Sequence, residues 1–337
     1  MGRNLGRAGL SQKSRDAGPS HRGRGATAAA PESRCRKSHA PSRMEGASGT
    51  VWRLGGSSIL PRLRSGPPIS RHPAQTDARN TMRLFAISDI HIDYPDNAQW
   101  VEQVSDADYR DDILILAGDL TEDRRLLAWC LGRFAAKFRQ VLFVPGNHDL
   151  WVRHEPADMC SLRKFEHVVD IATEAGVSMY TYRYGNTVIV PLLGWYDYSF
   201  GTPDSDLGKL WMDYRACRWP EGFDPARVTE HFLDLNPETV PHPRPGERVV
   251  TFSHFLPRID LIPFFVPRAM RHLDPVLGST GIERQLRALG SHLHIYGHSH
   301  INRRVRLDGV TYINNAFGYP QEGAIAARRL IEIIDET

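Results

Sequence analysis

The sequence predicts an α/β fold with a partly parallel β-sheet, and three observations support this prediction. Short apolar runs recur from position 83 onward, as expected of strands that are buried on both faces. Segments with apolar residues at helical spacing separate several of these runs, which gives the strand–helix–strand order of parallel sheets. Several runs end in polar residues, at the position where open α/β sheets build their functional sites.

The predicted elements extend from residue 83 to the end of the chain. The predicted strands cover residues 83–87, 113–117, 141–144, 188–193, 248–252, 293–296, 303–307, 310–313 and 326–334. The predicted helices cover residues 98–104, 124–139, 161–176, 225–235 and 281–289. Much of the stretch 195–275 is aromatic-rich or proline-rich, and outside its predicted helix and strand it reads as irregular.

The first 81 residues differ in composition from the rest of the chain. They contain 15 Lys and Arg but only 4 Asp and Glu, whereas residues 82–337 contain 27 basic and 35 acidic residues. With few large apolar side chains, residues 1–81 are predicted to be a disordered basic extension. Their Arg- and Ser-rich composition resembles an organellar transit peptide, and the alternative is an extension upstream of a start at Met82. The acidic remainder argues against a nucleic-acid partner.

The cysteines and the hydropathy pattern indicate where in the cell the protein is located. Cys35, Cys130, Cys160 and Cys217 form no close pair, so we expect free thiols in a reducing compartment. No apolar run approaches the roughly 18 residues of a membrane span. The predicted location is therefore cytoplasmic, or organellar if residues 1–81 are a transit peptide.

Five predicted strands end in carboxylate, amide or imidazole side chains. These are Asp89 and His91, Asp119, Asn147 and His148, His254, and His298 and His300. Any one of these groups alone is typical of a turn or a surface histidine. Together they offer the ligands that divalent transition metals prefer. They exceed the needs of one ion and suit two ions that share a carboxylate, roughly 3.5–4 Å apart.

The motifs at these strand ends resemble the five blocks of the calcineurin-like metallophosphoesterases. They are Ser-Asp-Ile-His at 88–91, Gly-Asp-Leu-Thr-Glu at 118–122, Gly-Asn-His-Asp at 146–149, Ser-His at 253–254 and Gly-His-Ser-His at 297–300. The resemblance covers about residues 82–320. It implies a four-layer α/β/β/α sandwich of two mixed sheets flanked by helices. We expect this domain to occupy residues 82–337, with substrate-selecting insertions in residues 195–275.

The resemblance also implies how the site residues divide their roles. One metal ion would be bound by Asp89, His91 and His300. The other would be bound by Asn147, His254 and His298. Asp119 would bridge the two ions. The expected cofactors are two divalent transition metal ions, namely manganese, iron or zinc.

His148 is expected to face the scissile phosphate rather than a metal ion. The resemblance places Glu122 as the carboxylate that orients the His148 ring, with Asp149 and Asp123 as alternatives. The expected activity is hydrolysis of a phosphoester bond by a hydroxide that bridges the two ions. A phosphodiesterase acting on a small molecule or nucleotide is favoured. A phosphomonoesterase, a nuclease and a metal-free binding module are the alternatives.

Two sets of residues between or beside the motifs are candidates for substrate contacts. The aromatic residues Trp195, Tyr196, Tyr198 and Trp211 either stack on a substrate or form a small satellite core. The arginines Arg153, Arg258, Arg268 and Arg271 either bind a phosphate or are ordinary surface residues. The histidines His154, His167, His231, His242, His272, His292 and His294 are interpreted as structural or exposed.

Overall fold

The described part of the chain has the two mixed sheets and flanking helices that the sequence predicts. A computed structural model describes residues 82–240, 242, 244–323, 326 and 328–333. The predicted disorder of residues 1–81, and Cys35 with it, lies outside the described residues. The described cysteines Cys130, Cys160 and Cys217 are buried free thiols, as predicted.

The first sheet has four strands in the order β10-β1-β2-β3. Its strands are β1 (Leu84–Ile87), β2 (Ile113–Leu116), β3 (Gln140–Phe143) and β10 (Ile331–Glu332). β1, β2 and β3 are parallel, and β10 pairs antiparallel with β1 through Phe85 and Glu332. The three parallel strands are almost wholly buried and apolar, which is the pattern that predicted them.

The second sheet has six strands in the order β4-β5-β6-β7-β9-β8. Its strands are β4 (Tyr182–Tyr184), β5 (Thr187–Pro191), β6 (Arg248–Phe252), β7 (Leu293–Tyr296), β8 (Arg303–Leu307) and β9 (Val310–Asn314). The four central strands are parallel, and the edge strands β4 and β8 are antiparallel to their neighbours.

The helices lie close to their predicted positions. They are α1 (Pro95–Gln103), α2 (Arg124–Lys137), α3 (Ser161–Glu174), α4 (Leu207–Leu210), α5 (Asp213–Ala216), α6 (Pro225–Leu235) and α7 (Thr280–Ala288). Asp123, Asp224 and Ser279 cap the N-termini of α2, α6 and α7 by accepting backbone hydrogen bonds. α4 and α5 are single turns inside the tract that the sequence pattern left irregular.

Two strand predictions need correction. The strand expected over residues 326–334 is confined to Ile331–Glu332 among its described residues. The edge strand β4 was not predicted, because its Tyr-Arg-Tyr sequence is half-buried throughout and shows no apolar run. β4 forms by pairing with β5 across the turn at Gly185, which adopts a positive φ of 50°.

The two sheets approach each other where β1 and β9 end. Ser88 forms an isolated parallel bridge with Ala316, and its backbone N–H donates to the carbonyl of Asn315 at 3.1 Å. The residues that follow β1 therefore lie beside the residues that follow β9. This junction brings the polar ends of both sets of parallel strands into one region.

His294 lies inside β7 and is wholly buried between hydroxyl groups. Its Nδ1 lies 2.8 Å from Thr251 Oγ1, and its Nε2 lies 3.1 Å from Ser253 Oγ. Burial lowers the pKa of His294 to about 3. The ring therefore stays neutral in the folded protein at pH values where the unfolded chain binds a proton.

This burial predicts a specific loss of stability in acid. Because the folded pKa is lowered, the stability is fully present above pH 6.5 and is lost as the pH falls towards about 3. At about 1.4 kcal/mol per pH unit, the loss approaches about 2 kcal/mol by pH 5. The stability advantage of wild type over His294→Gln, measured by urea unfolding, should shrink by that amount between pH 7 and pH 5. An advantage that is independent of pH would contradict the prediction.

Candidate metal centre

The side chains at the five strand ends converge on one region. Three groups have ligand atoms that all lie within 4.8 Å of one another: Asp89, His91 and His300; His91, Asp119 and His148; and Asp119, His254 and His298. Asp119 and His91 each belong to two groups, so the clusters are continuous. Asn147 joins them because its Oδ1 lies 3.1 Å from His254 Nε2. All seven predicted metal ligands are thus close together.

The backbone at this region adopts a conformation that residues other than glycine rarely adopt. Five of the predicted ligands have positive φ: Asp89, His91, Asp119, His298 and His300, with values from 47° to 69°. The left-handed conformation costs such residues roughly 1–2 kcal/mol each. Strain of this kind persists only where the surroundings hold it, and it concentrates at functional sites.

Asp149 holds two of the loops in place. Its buried carboxylate accepts backbone N–H bonds from Gly146, Asp119, Leu120 and Thr121, at 2.7–3.1 Å. Burial raises the pKa of Asp149 to about 6, although these four N–H groups oppose the rise. Asp149 therefore fixes the loops after β2 and β3 relative to each other.

The imidazoles are oriented so that one nitrogen of each is directed into the cluster. The outer nitrogens are bonded: His254 Nδ1 to Ala117 O at 2.9 Å, His298 Nε2 to Val276 O at 3.1 Å, and His300 Nδ1 to Glu322 Oε2 at 2.7 Å. Carbonyl and carboxylate oxygens only accept hydrogen bonds, so each outer nitrogen carries the proton. In the neutral form of each ring the inner nitrogen then has the lone pair, which is the tautomer that metal ligation requires.

The inner nitrogens lie close to one another as well. His91 Nε2 is 3.2 Å from His300 Nε2, and His254 Nε2 is 3.1 Å from His298 Nδ1. The outer nitrogens of His254 and His298 both donate to carbonyls, so in this second pair two lone pairs face each other, and they repel unless a cation lies near them. The donor set and its orientation therefore fit divalent metal ions.

The electrostatics of the cluster also favour cations. Burial together with the negative charge of Asp89 raises the pKa of Asp119 well above its usual range. Burial by itself would lower the pKa of His300, but Asp89 and Glu322 raise it to about 10. The raised pKa values of Asp119 and His300 reflect the buried carboxylate of Asp89 beside them, and a bound cation would offset the negative charge of that carboxylate.

His148 lies at the accessible side of the cluster. Its ring stacks on Trp151 at 3.6 Å between centroids, and its Nε2 lies 3.8 Å from Asp119 Oδ2 and 3.4 Å from the hydroxyl of Tyr319. Burial and the neighbouring imidazoles lower the pKa of His148. The His148 ring is therefore neutral at pH 7 and has one N–H to donate.

The carboxylates expected to orient His148 are placed elsewhere. Glu122 binds the guanidinium of Arg153 and lies 3.4 Å from His154 Nε2. Asp123 caps α2, and Asp149 binds backbone N–H groups. Within the described residues, none of the three acidic side chains hydrogen-bonds the His148 ring. Its orientation comes instead from stacking on Trp151.

The segment after β9 supplies site residues that the sequence motifs did not include. Tyr319 stacks on His91 with 4.3 Å between ring centroids, and Glu322 accepts the hydrogen bond from His300. Gly318 has a φ of 76°, and a Cβ there would lie 2.7 Å from Glu322 Oε2. The local sequence that carries these residues is the Gly-Tyr-Pro-Gln-Glu stretch at 318–322, shortly after β9.

Asp213 is a second residue that sequence reasoning missed. It lies in α5 and is buried, and it accepts hydrogen bonds from Asn147 Nδ2 at 2.9 Å, Trp151 Nε1 at 2.7 Å and Trp211 Nε1 at 2.9 Å. Burial raises the pKa of Asp213 to about 6, although these hydrogen bonds oppose the rise. Nothing in its local sequence distinguishes it from a surface aspartate.

The aromatic residues that were candidates for substrate contacts lie in different environments. Trp195 and Tyr196 are buried in the core, as the satellite-core interpretation requires. Trp211 lies edge-on to the ring of His298, at 5.7 Å between centroids, and Tyr198 bonds Tyr214 through their hydroxyls.

The arginines also differ from one another. Arg258 binds Asp260 and Asp308, and Arg271 binds Asp274, so both are used in surface ion pairs. The side chain of Arg268 lies outside the description. Arg153 lies over the ring of Trp151, at 4.9 Å from its centroid. Of the arginines described, Arg153 is thus linked to the cluster through the ring on which His148 stacks.

Comparison with known sequences relates the chain to one characterised relative. It is 29% identical over 272 residues to the acyl-carrier-protein phosphodiesterase PptH of Mycobacterium tuberculosis, and the match covers 71% of this chain and 78% of the relative. The crystal structure of the phosphopantetheinyl hydrolase PptH from the same organism superposes with a TM-score of 0.57 and 24% identity. That superposition covers 75% of this chain and 96% of the solved chain, and it shows a shared fold.

A family model extends the comparison beyond one relative. The model of the calcineurin-like phosphoesterases matches residues 82–302, which is more than half of the chain and includes all five motifs. The protein therefore belongs to the calcineurin-like phosphoesterases and is a metal-dependent phosphoric ester hydrolase.

Proposed function

We propose that this enzyme is a phosphodiesterase that releases the phosphopantetheine group from an acyl carrier protein. The observation that carries the proposal is the convergence of seven proposed metal ligands, three of which, His254, His298 and His300, have their outer ring nitrogens hydrogen-bonded. The choice of substrate is supported by the relative PptH, an acyl-carrier-protein phosphodiesterase that aligns with 71% of the chain.

We propose that two metal ions occupy the cluster as the motifs predict. Asp89, His91 and His300 would hold one ion. Asn147, His254 and His298 would hold the other, with Asp119 between them. When bound, the ions would lower the pKa of water to near neutrality and offset the negative charge of the phosphodiester. We propose manganese, iron or zinc, because imidazole and carboxylate ligands suit these metals.

His148 would act on the phosphodiester itself. It lies on the accessible side of the cluster, with 16% of its side chain exposed, and its neutral ring has an N–H to donate. Trp151 holds the ring by stacking, and Tyr319 approaches it from the other segment. We propose that His148 donates this proton to the leaving oxygen of the carrier-protein serine as the bond between that oxygen and phosphorus breaks.

In this proposal Glu122 acts indirectly, through Arg153. Its carboxylate fixes the guanidinium of Arg153, which in turn lies over Trp151. Glu122 would therefore position Arg153 as a cation beside the phosphate rather than orient His148. Asp149 would hold the loops after β2 and β3 in a fixed position relative to each other.

The proposed location is the cytoplasm, and the partner is a carrier protein rather than a nucleic acid. The three described cysteines are free thiols, which is typical of a reducing compartment. None of the helices in the described residues is both long and apolar enough to cross a membrane. We further propose that residues 82–337 form the catalytic domain, since β10 lies beyond residue 302 and completes the first sheet.

The proposed activity predicts a specific product. Full-length protein with Mn²⁺ should convert phosphopantetheinylated carrier protein into carrier protein with a free serine, and mass spectrometry should detect loss of the complete phosphopantetheine group. A chelator should abolish the reaction, and p-nitrophenyl phosphate should be cleaved more slowly than its bis-ester. Cleavage of small nucleotide diesters without cleavage of the carrier protein would favour the nucleotide alternative. Cleavage of the monoester alone would overturn the diesterase proposal.

Substitution of His148 should separate metal binding from turnover. His148→Ala should retain two bound metal ions and lose about 10²–10⁴-fold in kcat, the usual contribution of a proton donor. Elemental analysis and steady-state kinetics on the same sample provide the measurement. Asp119→Asn, which removes the shared carboxylate charge, should instead lower metal content. A parallel loss of metal in His148→Ala would assign His148 to the ligands.

Glu322 should affect metal binding through His300. Glu322→Gln weakens the hydrogen bond that holds the His300 tautomer, so the affinity for one metal ion should fall about 10–100-fold. Equilibrium dialysis with Mn²⁺ measures this change. Gln140→Glu, at the start of β3 and so at the opposite end of that strand from the cluster, serves as a comparison and should leave metal affinity unchanged. Unaltered affinity in Glu322→Gln would remove Glu322 from the proposed metal site.

A further inference from the structure

Asp213 lies outside every sequence motif, yet it contacts three residues that border the metal cluster. Its carboxylate accepts one hydrogen bond from the amide of Asn147 and one each from the indoles of Trp151 and Trp211. The side chain is only 2% exposed. A buried carboxylate that accepts these side-chain hydrogen bonds is held in one orientation by its donors.

The contact with Asn147 determines which way its amide points. A carboxylate only accepts hydrogen bonds, so the Asn147 nitrogen must face Asp213. The Asn147 oxygen is then directed to the opposite side, where it lies 3.1 Å from His254 Nε2. With the amide reversed, an N–H group would face the metal cluster, and an N–H group cannot bind a cation.

The two indole contacts extend this effect to neighbouring rings. Trp151 supports the stacked ring of His148, and Trp211 lies against the ring of His298. The indole N–H is only a donor, so both indoles are also oriented by the carboxylate. One buried charge thus orients a proposed metal ligand and two rings that pack on the site.

The backbone around Asp213 is tied to the same loop. Val152 N–H donates to Ala216 O at 2.8 Å, and Ser161 N–H donates to Arg218 O at 2.7 Å. The turn that carries Asp213 is therefore hydrogen-bonded through its backbone to residues that follow Asn147 in sequence. Its position does not depend on the Asp213 side chain alone.

We propose that Asp213 is the positioning residue for the metal ion that Asn147, His254 and His298 would bind. This inference rests on the proposed metal assignment. It gives the tract 195–220 a structural role in the metal centre in addition to any role in substrate selection. A carboxylate is required because an asparagine amide would present an N–H to one of the three donors.

Mn²⁺ binding to metal-stripped, full-length protein tests this inference without a substrate. Wild type should bind two ions. Asp213→Asn should bind one ion with wild-type affinity and the second about 10–100-fold more weakly, as measured by equilibrium dialysis. Trp151→Phe keeps an aromatic ring but removes one donor, and it should weaken the second ion several-fold. This variant provides the test if Asp213→Asn does not fold.

A matched control comes from the same tract. Asp197 also accepts hydrogen bonds, from Ser279 Oγ and Ser199 N, but these partners are not proposed metal ligands. Asp197→Asn should leave both ions bound as in wild type. Two ions at wild-type affinity in the folded Asp213→Asn or Trp151→Phe variant would overturn the inference, as would equal weakening of both ions. Failure of wild type to cleave carrier protein would instead count against the proposed substrate and leave these binding results unaffected.

Discussion

The rest of the structure depends on the burial of two acidic side chains, Asp89 and Asp119, close to each other. Each carboxylate raises the electrostatic cost of the other, and burial removes the water that would screen them. The lowered pKa values of His91, His254 and His298 keep these rings neutral, so within the cluster the compensating charge comes from His300, whose pKa is raised to about 10. The arrangement is stable only with cations or protons in it, so the protein is built to bind metal ions.

The fold holds this unfavourable cluster in place through interactions just outside it. Asp149 bonds four backbone N–H groups, Glu322 bonds His300, and Asp213 bonds Asn147 together with two indoles. These contacts also offset the cost of the left-handed backbone at five of the ligands. These contacts restrict the orientations open to the proposed ligands, which reduces the entropy that would be lost on metal binding.

The surrounding residues also distinguish the two sides of the centre. One side is closed by Asp213, Trp211 and Val276, which contact the proposed ligands Asn147 and His298. The other side presents His148, Tyr319 and the Trp151–Arg153 pair. The side chains of His148 and Arg153 are 16% and 38% exposed, so the proposed proton donor and a cation fixed by Glu122 are both accessible from solvent.

The sequence alone determined the parallel strands, most helix positions and the proposed ligands, because these depend on local patterns. A buried strand needs an apolar run, and a strand end that binds metal needs ligand side chains within a few residues of it. Only the tertiary structure revealed the roles of Glu322 and Asp213 and the true partner of Glu122. Their contacts join residues far apart in the chain, 66 positions in the case of Asn147 and Asp213. The sequence around a single acidic residue looks the same whether that residue is exposed or buried. The contacts of these three carboxylates are therefore decided only by the packing of the two sheets and the tract 195–220.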